Sequence, residues 1–123
     1  MKSKETVVII GASSKPERYS NKAQKALVDD GHTVIPFNPG IKEVDGIKVV
    51  NDMKNITTKI DTVTLYVGPD RLKPMIGAII GLKPKRIIAN PGTECDEIRL
   101  ACRAAKIEYL EACTLVMLST GQF

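Results

Sequence analysis

The chain has no tryptophan, and three tyrosines and two phenylalanines are all its aromatic rings in 123 residues. Single-stranded nucleic acids are held largely by stacking on such rings, so a nucleic-acid partner is not expected. Cys95, Cys102 and Cys113 form no C-x-x-C pair and are odd in number, which excludes the usual zinc spacing and a self-contained disulfide framework. Cys95 and Cys102 are seven apart on one helix face and read as buried free thiols acting as small hydrophobes. No apolar run approaches the roughly 20 residues that a membrane helix needs. The opening Met1-Lys2-Ser3-Lys4-Glu5 leads straight into a strand without a signal-peptide core, so the expected location is cytoplasmic, with no membrane partner. The net charge of +4 is spread thinly, its densest cluster being Lys83-Pro84-Lys85-Arg86. That is no nucleic-acid stripe, but it suits a small anionic ligand.

What is present describes one globular domain over residues 1–123, with 43% hydrophobic and 26% charged residues, as in ordinary soluble chains. Apolar runs alternate with helical patterns from end to end, the signature of an α/β fold. The expected architecture is Rossmann-like: a doubly wound, mainly parallel sheet of about five strands in three α/β/α layers. Strands are expected at Thr6–Ile10, Thr33–Phe37, Thr62–Val67, Arg86–Ala89 and Glu108–Leu110, with a short one at Ile47–Val50 inside a loop. Helices are expected over about Asn21–Asp30, Arg71–Ile80 and Glu94–Ala105, and Pro74 is tolerated only within the first turn of the second. The shape of Ala112–Ser119 stays open.

Ligands of such sheets bind beyond the carboxyl ends of the strands, where strand order reverses, and three strand ends here are marked. The first is Gly11-Ala12-Ser13-Ser14-Lys15, continuing through Arg18 to Ser20. A strand that ends at a glycine, followed by a polar loop and a helix start, is the plan of a phosphate site, because helix N-terminal N–H groups attract anions. The dinucleotide pattern G-x-G-x-x-G is absent: Ser13 stands at the second glycine and the third is missing. Backbone approach to a pyrophosphate is thereby restricted, while Ser13 and Ser14 offer hydroxyls and Lys15 and Arg18 offer charge. The second end is Pro36-Phe37-Asn38-Pro39-Gly40. NAD sites usually carry a carboxylate here for the ribose hydroxyls. Asn38, with Lys42 nearby, instead accepts a phosphorylated ribose, which favours coenzyme A, or NADP, over NAD. The third is Tyr66-Val67-Gly68-Pro69, whose apolar groups and exposed backbone suit an adenine, although Tyr66 is equally a core residue.

Together, Gly11-x-Ser13 with Arg18 and Ser20, Pro36-x-Asn38-Pro39, and Tyr66-Val67-x-Pro69 resemble the small standalone CoA-binding protein family. That family is similar to the N-terminal domain of the succinyl-CoA synthetase α subunit. The resemblance runs from about Thr6 to Leu118. It implies a Rossmann-like fold with CoA across these strand ends. Ser13, Ser14 and Arg18 would meet phosphates, Asn38, Pro39 and Lys42 the adenosine phosphate side, and Tyr66, Val67 and Pro69 the adenine. The charged Lys15-Pro16-Glu17-Arg18 fits the standalone members better than the glycine-rich loop of the synthetase.

A catalytic role is not expected. Synthetases of that kind add a domain with a phosphorylated histidine and an ATP-binding partner. The one histidine here, His32, falls at the opposite edge of the sheet, where an exposed or capping role is expected. Ser13 and Ser14 have no base beside them in sequence. Cys113 stands where a mixed disulfide with a CoA thiol is conceivable, against a plain core role. Three readings remain: a CoA or acyl-CoA binding protein acting as carrier, sensor or detached subunit; an NAD(P)-binding redox module; or a degenerate domain used for protein association. The apolar tail Cys113–Leu118 leaves a homodimer open.

Overall fold

The computed structural model describes residues 3–123. Strands β1 (Thr6–Ile10) and β2 (Thr33–Phe37) are joined by helix α1 (Tyr19–Asp29), and a hairpin of β3 (Glu43–Val44) and β4 (Ile47–Lys48) follows. Strand β5 (Thr62–Leu65), the short helices α2 (Pro69–Leu72) and α3 (Ile76–Gly81), β6 (Arg86–Ala89), α4 (Asp96–Ala105), β7 (Glu108–Glu111) and α5 (Thr114–Ser119) complete the chain. The main sheet has the order β2-β1-β5-β6-β7, every neighbouring pair parallel. This is the expected doubly wound α/β arrangement. A parallel sheet is covered on both faces, so its central strands are apolar throughout rather than alternating. Val7 to Ile10 are accordingly fully buried, with Val8 and Ile10 in one core and Val7 and Ile9 in the other.

From β1 the chain winds outward to β2, then crosses back over β1 to β5. The order therefore reverses between β1 and β5, which places the crevice at Gly11 and at Tyr66-Val67.

Several elements depart from expectation for identifiable reasons. The helix expected over Arg71–Ile80 is broken into α2, a 3₁₀ turn at Lys73–Met75, and α3. Pro74 has no N–H and its ring clashes with the preceding turn, so a continuous helix through it is disfavoured. The loop before β5 contains the β3–β4 hairpin, turned by Asp45 and Gly46, both with positive φ. Asp-Gly is the dipeptide that two-residue hairpin turns prefer. Helix α4 begins at Asp96, with Cys95 as its N-cap. The undecided Ala112–Ser119 forms α5, which buries Thr114 and Met117 and leaves Val116 half exposed.

His32 is buried rather than exposed. Gly31, at φ +89, turns the chain so that the ring packs edge-on to Phe123 at 5.0 Å. Its Nδ1 accepts from the Glu5 N–H at 3.0 Å, and Nε2 lies 3.1 Å from Asp30 Oδ2. It ties the chain together at the amino ends of the strands, away from the crevice. Among the described residues, no helix is long and apolar enough to cross a membrane. Among the described residues, no cluster of three or more His, Cys, Asp or Glu could hold a metal ion.

Candidate functional site

Gly11 ends β1 at φ +92, and a Cβ there would stand 2.8 Å from Val67 Cγ1 and 3.0 Å from the Tyr66 carbonyl oxygen. Only glycine lets β1 turn away this close to β5. Gly11→Ala combines a left-handed backbone penalty with that clash and should cost about 2 kcal/mol or more, read as a lowered urea midpoint. The N–H groups of Gly11 and Ala12 both donate to Phe37 O, at 3.1 and 3.0 Å. This pins the loop to β2, so neither amide is free for a ligand.

Asn38 holds the other side of the mouth. Its Nδ2 donates to Ala12 O at 2.8 Å, and its Oδ1 accepts from Gly40 N at 2.7 Å. Asn51 Nδ2 in turn donates to Asn38 O and Ile41 O. An asparagine has four hydrogen-bonding positions, so Asn38 positions the loop and keeps capacity for a ligand.

Between these strand ends lies a cavity of about 460 Å³. Gly11, Ala12, Ser13, Ser14, Lys15, Arg18, Ser20, Asn38, Tyr66 and Val67, all candidates from the sequence, line it. Pro39 lines a second, adjoining cavity. Lys42 and Pro69 line neither. The sequence reading had missed Tyr19, Arg71 and the Pro91-Gly92-Thr93 loop, which also line the main cavity. Arg71 sits in the helix expected after β5, but its distance in sequence from the loop after β1 hides their sharing of one cavity.

The electrostatics of this cavity are one-sided. Lys15, Arg18 and Arg71 line it, and no Asp, Glu or His does. None of the three makes an ion pair among the described residues. The cavity at the amino ends of the strands is the contrast: Lys4, Lys85 and Arg86 face Glu5, Asp61 and Glu108 there. Helix α1 points its first turn at the loop without a capping side chain and without an acidic residue. Its N-cap is Arg18, where Ser, Thr, Asp or Asn would be preferred. The first N–H groups of a helix have no i−4 partner within it; here Arg18 N donates to Lys15 O and Asn21 N to Arg18 O, so the amides of Tyr19 and Ser20 are the ones left at the positive end of the helix dipole. Ser13 Oγ accepts from Lys15 N at 3.1 Å, which folds the loop back on itself. Buried Asn21 secures it further by donating to Ser13 O at 2.9 Å.

Tyr66 and Thr93, which line the cavity, adjoin a buried polar network. Asn90 Nδ2 donates to Thr64 Oγ1 and to Leu65 O, Asn90 Oδ1 accepts from Thr114 N, and Asn90 O accepts from Thr93 Oγ1. The Thr64 and Thr114 hydroxyls pair at 2.8 Å. The Tyr66 hydroxyl lies among them, buried and without a hydrogen-bond partner among the described residues. Burial pushes its pKa up to about 12, with the neighbouring threonines acting weakly in the opposite direction. A phenol whose folded pKa is raised stays neutral in the native state while its unfolded counterpart ionises near pH 10. Stability is therefore complete below pH 10 and is lost as pH climbs toward 12. Tyr66→Phe should leave stability at pH 7 within about 0.5 kcal/mol of wild type and shrink the alkaline loss, as melts at pH 7 and pH 11 would show.

Comparisons with known proteins identify the family and the fold. A family profile described as CoA binding domain matches residues 5–119. The chain belongs to that family. A solved structure of an uncharacterized protein superposes with a TM-score of 0.95 at 38% identity, covering 99% of this chain and 100% of that one. The uncharacterized protein YneT of Bacillus subtilis (strain 168) is 36% identical over 66 residues, which are 54% of this chain and 49% of that protein. The match thus spans about half the length of that curated relative. A dinucleotide-forming acetyl-coenzyme A synthetase of Ca. Korarchaeum cryptofilum, solved with phosphate and ADP, superposes with a TM-score of 0.76 at 18% identity, over 88% of this chain and 25% of that one. At that identity the likeness is one of fold. The CoA-binding domain family and the fold expected from the strand ends are therefore both established for this chain.

Proposed function

We propose that this protein binds coenzyme A or an acyl-CoA in the crevice between β1, β2 and β5, and that it acts as a carrier, a sensor or a detached subunit rather than as an enzyme. The observation that carries the proposal is the charge of the main cavity: three unpaired cations and an uncapped helix N-terminus, with no carboxylate to oppose them. Such a site favours a polyanion strongly. Membership of the CoA-binding domain family supports CoA as that polyanion. Lys15 and Arg18 stand on the loop to meet the diphosphate, with Ser13, Ser14 and the first-turn amides of α1 as neutral donors.

The same lining argues for binding without chemistry. General acid–base or nucleophilic catalysis needs a positioned base within hydrogen-bond reach of the reacting group, and the cavity offers neither His, Asp, Glu nor Cys. The buried thiols do not change this. Burial pushes the Cys102 pKa up to about 11, and Cys95 donates its S–H to Glu97 at 2.9 Å.

Thermal shift with CoA, NADP and NAD at matched concentrations tests the reading. At 100 times its dissociation constant, a ligand adds about 2.7 kcal/mol, several degrees for a domain of this size. CoA should raise Tm and NAD should not. A shift with NADP or NAD alone would replace this reading with a redox module. No shift with any of the three would leave a domain used for protein association.

A further inference from the structure

The crevice is double. Beside the main cavity, and sharing Gly11, Asn38, Val67 and Arg71 with it, lies a second cavity of about 210 Å³. Its remaining lining is Phe37, Pro39 and Met75. The two compartments differ in chemistry. The larger holds the serines, Lys15, Arg18 and the start of α1. The smaller is a mainly apolar slot between the end of β2 and the 3₁₀ turn after α2, and its one charged residue is Arg71.

Arg71, like Lys15 and Arg18, is unpaired. It is exposed, stands three residues after Gly68, the N-cap of α2, and makes neither a hydrogen bond through its guanidinium nor an ion pair among the described residues. The arginine at the amino ends of the strands behaves differently: Arg86 is clamped by Glu5, Thr62 and the Phe123 carbonyl and lies 4.6 Å over the Phe123 ring. An exposed guanidinium at the boundary of a phosphate-type cavity and an apolar slot is placed for a second anionic group on the same ligand.

Coenzyme A carries negative charge in two places, a diphosphate on the ribose 5′ side and a phosphomonoester on the 3′ oxygen, with the adenine between apolar surfaces. Two anionic centres require two cationic ones. Lys15 and Arg18 form the first. For the second, sequence proximity to Asn38 pointed to Lys42, yet Lys42 lines neither cavity. We infer that Arg71, and not Lys42, reads the ribose 3′-phosphate and makes the site prefer CoA over dephospho-CoA. The slot of Phe37, Pro39, Val67 and Met75 takes the adenine beside it. A guanidinium pairs with a phosphate through two parallel N–H donors, a geometry a lysine cannot reproduce. The inference rests on the CoA reading above and deepens it by naming what selects the ligand.

Calorimetric titration of wild type, Arg71→Ala, Arg71→Lys and Lys42→Ala with CoA and with dephospho-CoA decides it. Loss of a charge-assisted pair of this kind weakens binding by about tenfold to a hundredfold. Wild type should prefer CoA, Arg71→Ala should lose that preference by weakening CoA alone, and Arg71→Lys should recover part of it. Lys42→Ala should keep the preference intact. Equal weakening of both ligands by Arg71→Ala would place Arg71 at the diphosphate and overturn the inference, as would loss of the preference in Lys42→Ala. In both of those cases the CoA reading survives, because wild type binds. Wild type binding neither ligand would remove both. Arg71 holds no contact that the apo fold needs, so unchanged melts of the unliganded variants confirm that binding alone is being read.

Discussion

Arg18→Glu abolishes the stabilisation that CoA confers while the apo protein melts at the wild-type temperature or slightly above it. The two halves of this result have separate causes. Arg18 is exposed, caps α1 without a side-chain hydrogen bond, and has no acidic partner, so its removal breaks nothing in the unliganded fold. A carboxylate at a helix N-terminus interacts favourably with the helix dipole, by about 0.3–1 kcal/mol. The variant therefore gains slightly in apo stability while it loses ligand binding. In the liganded state the same carboxylate faces the diphosphate, and like charges at contact distance repel. A stabilisation of about 2.7 kcal/mol at 100-fold saturation should fall to nothing in a thermal shift assay. An apo melt several degrees lower would instead mark Arg18 as a structural residue.

Asn90→Ala should be the most damaging single change to stability. Asn90 is 3% exposed, and its side chain joins β5 at Thr64 and Leu65 to the first turn of α5 at Thr114, beside the direct Thr64–Thr114 hydroxyl pair. Truncation leaves Leu65 O and Thr114 N buried without that partner, and each such orphan costs about 1–3 kcal/mol. A total loss of about 3–5 kcal/mol follows once the small cavity is included, which lowers Tm by roughly ten degrees or more for a chain of this length. Chemical denaturation checks the magnitude. A loss under 1 kcal/mol would show that water replaces the asparagine without cost.

These two residues also mark how far the sequence could be read. Strands β1, β2 and β6 lie where their runs of buried apolar residues placed them, ending at Gly11, Asn38 and Asn90. Such boundaries are local: a β-branched run stops at a residue that turns the chain. The cavity-lining loop after β1 was legible for the same reason, since Ser13, Ser14, Lys15 and Arg18 follow closely on the strand that presents them. What lay beyond reading depends on contacts between distant segments. Asn90 looks like a turn residue beside Pro91, and nothing near it in sequence reveals Thr64 or Thr114 as partners. Arg71 shares a cavity with the loop after β1 only because β5 is inserted next to β1. The burial of His32 depends on Phe123, at the far end of the chain, against which the turn at Gly31 packs it. The split at Pro74 and the Asp45-Gly46 hairpin were different: their signals are local and were under-weighted against a helical period and a loop composition.

The central claim is that an adenine nucleotide with several phosphates sits at the switch point between β1 and β5. Titration of the isotope-labelled protein with CoA, followed through its backbone amide resonances, tests this most directly. The account predicts that the large shifts fall on Ser13, Ser14, Lys15, Arg18, Tyr19, Val67 and Arg71, with Lys4, Asp61 and Arg86 at the far ends of the strands unmoved. Shifts concentrated on Lys4, Asp61, Lys85 and Arg86, or none up to millimolar CoA, would contradict it.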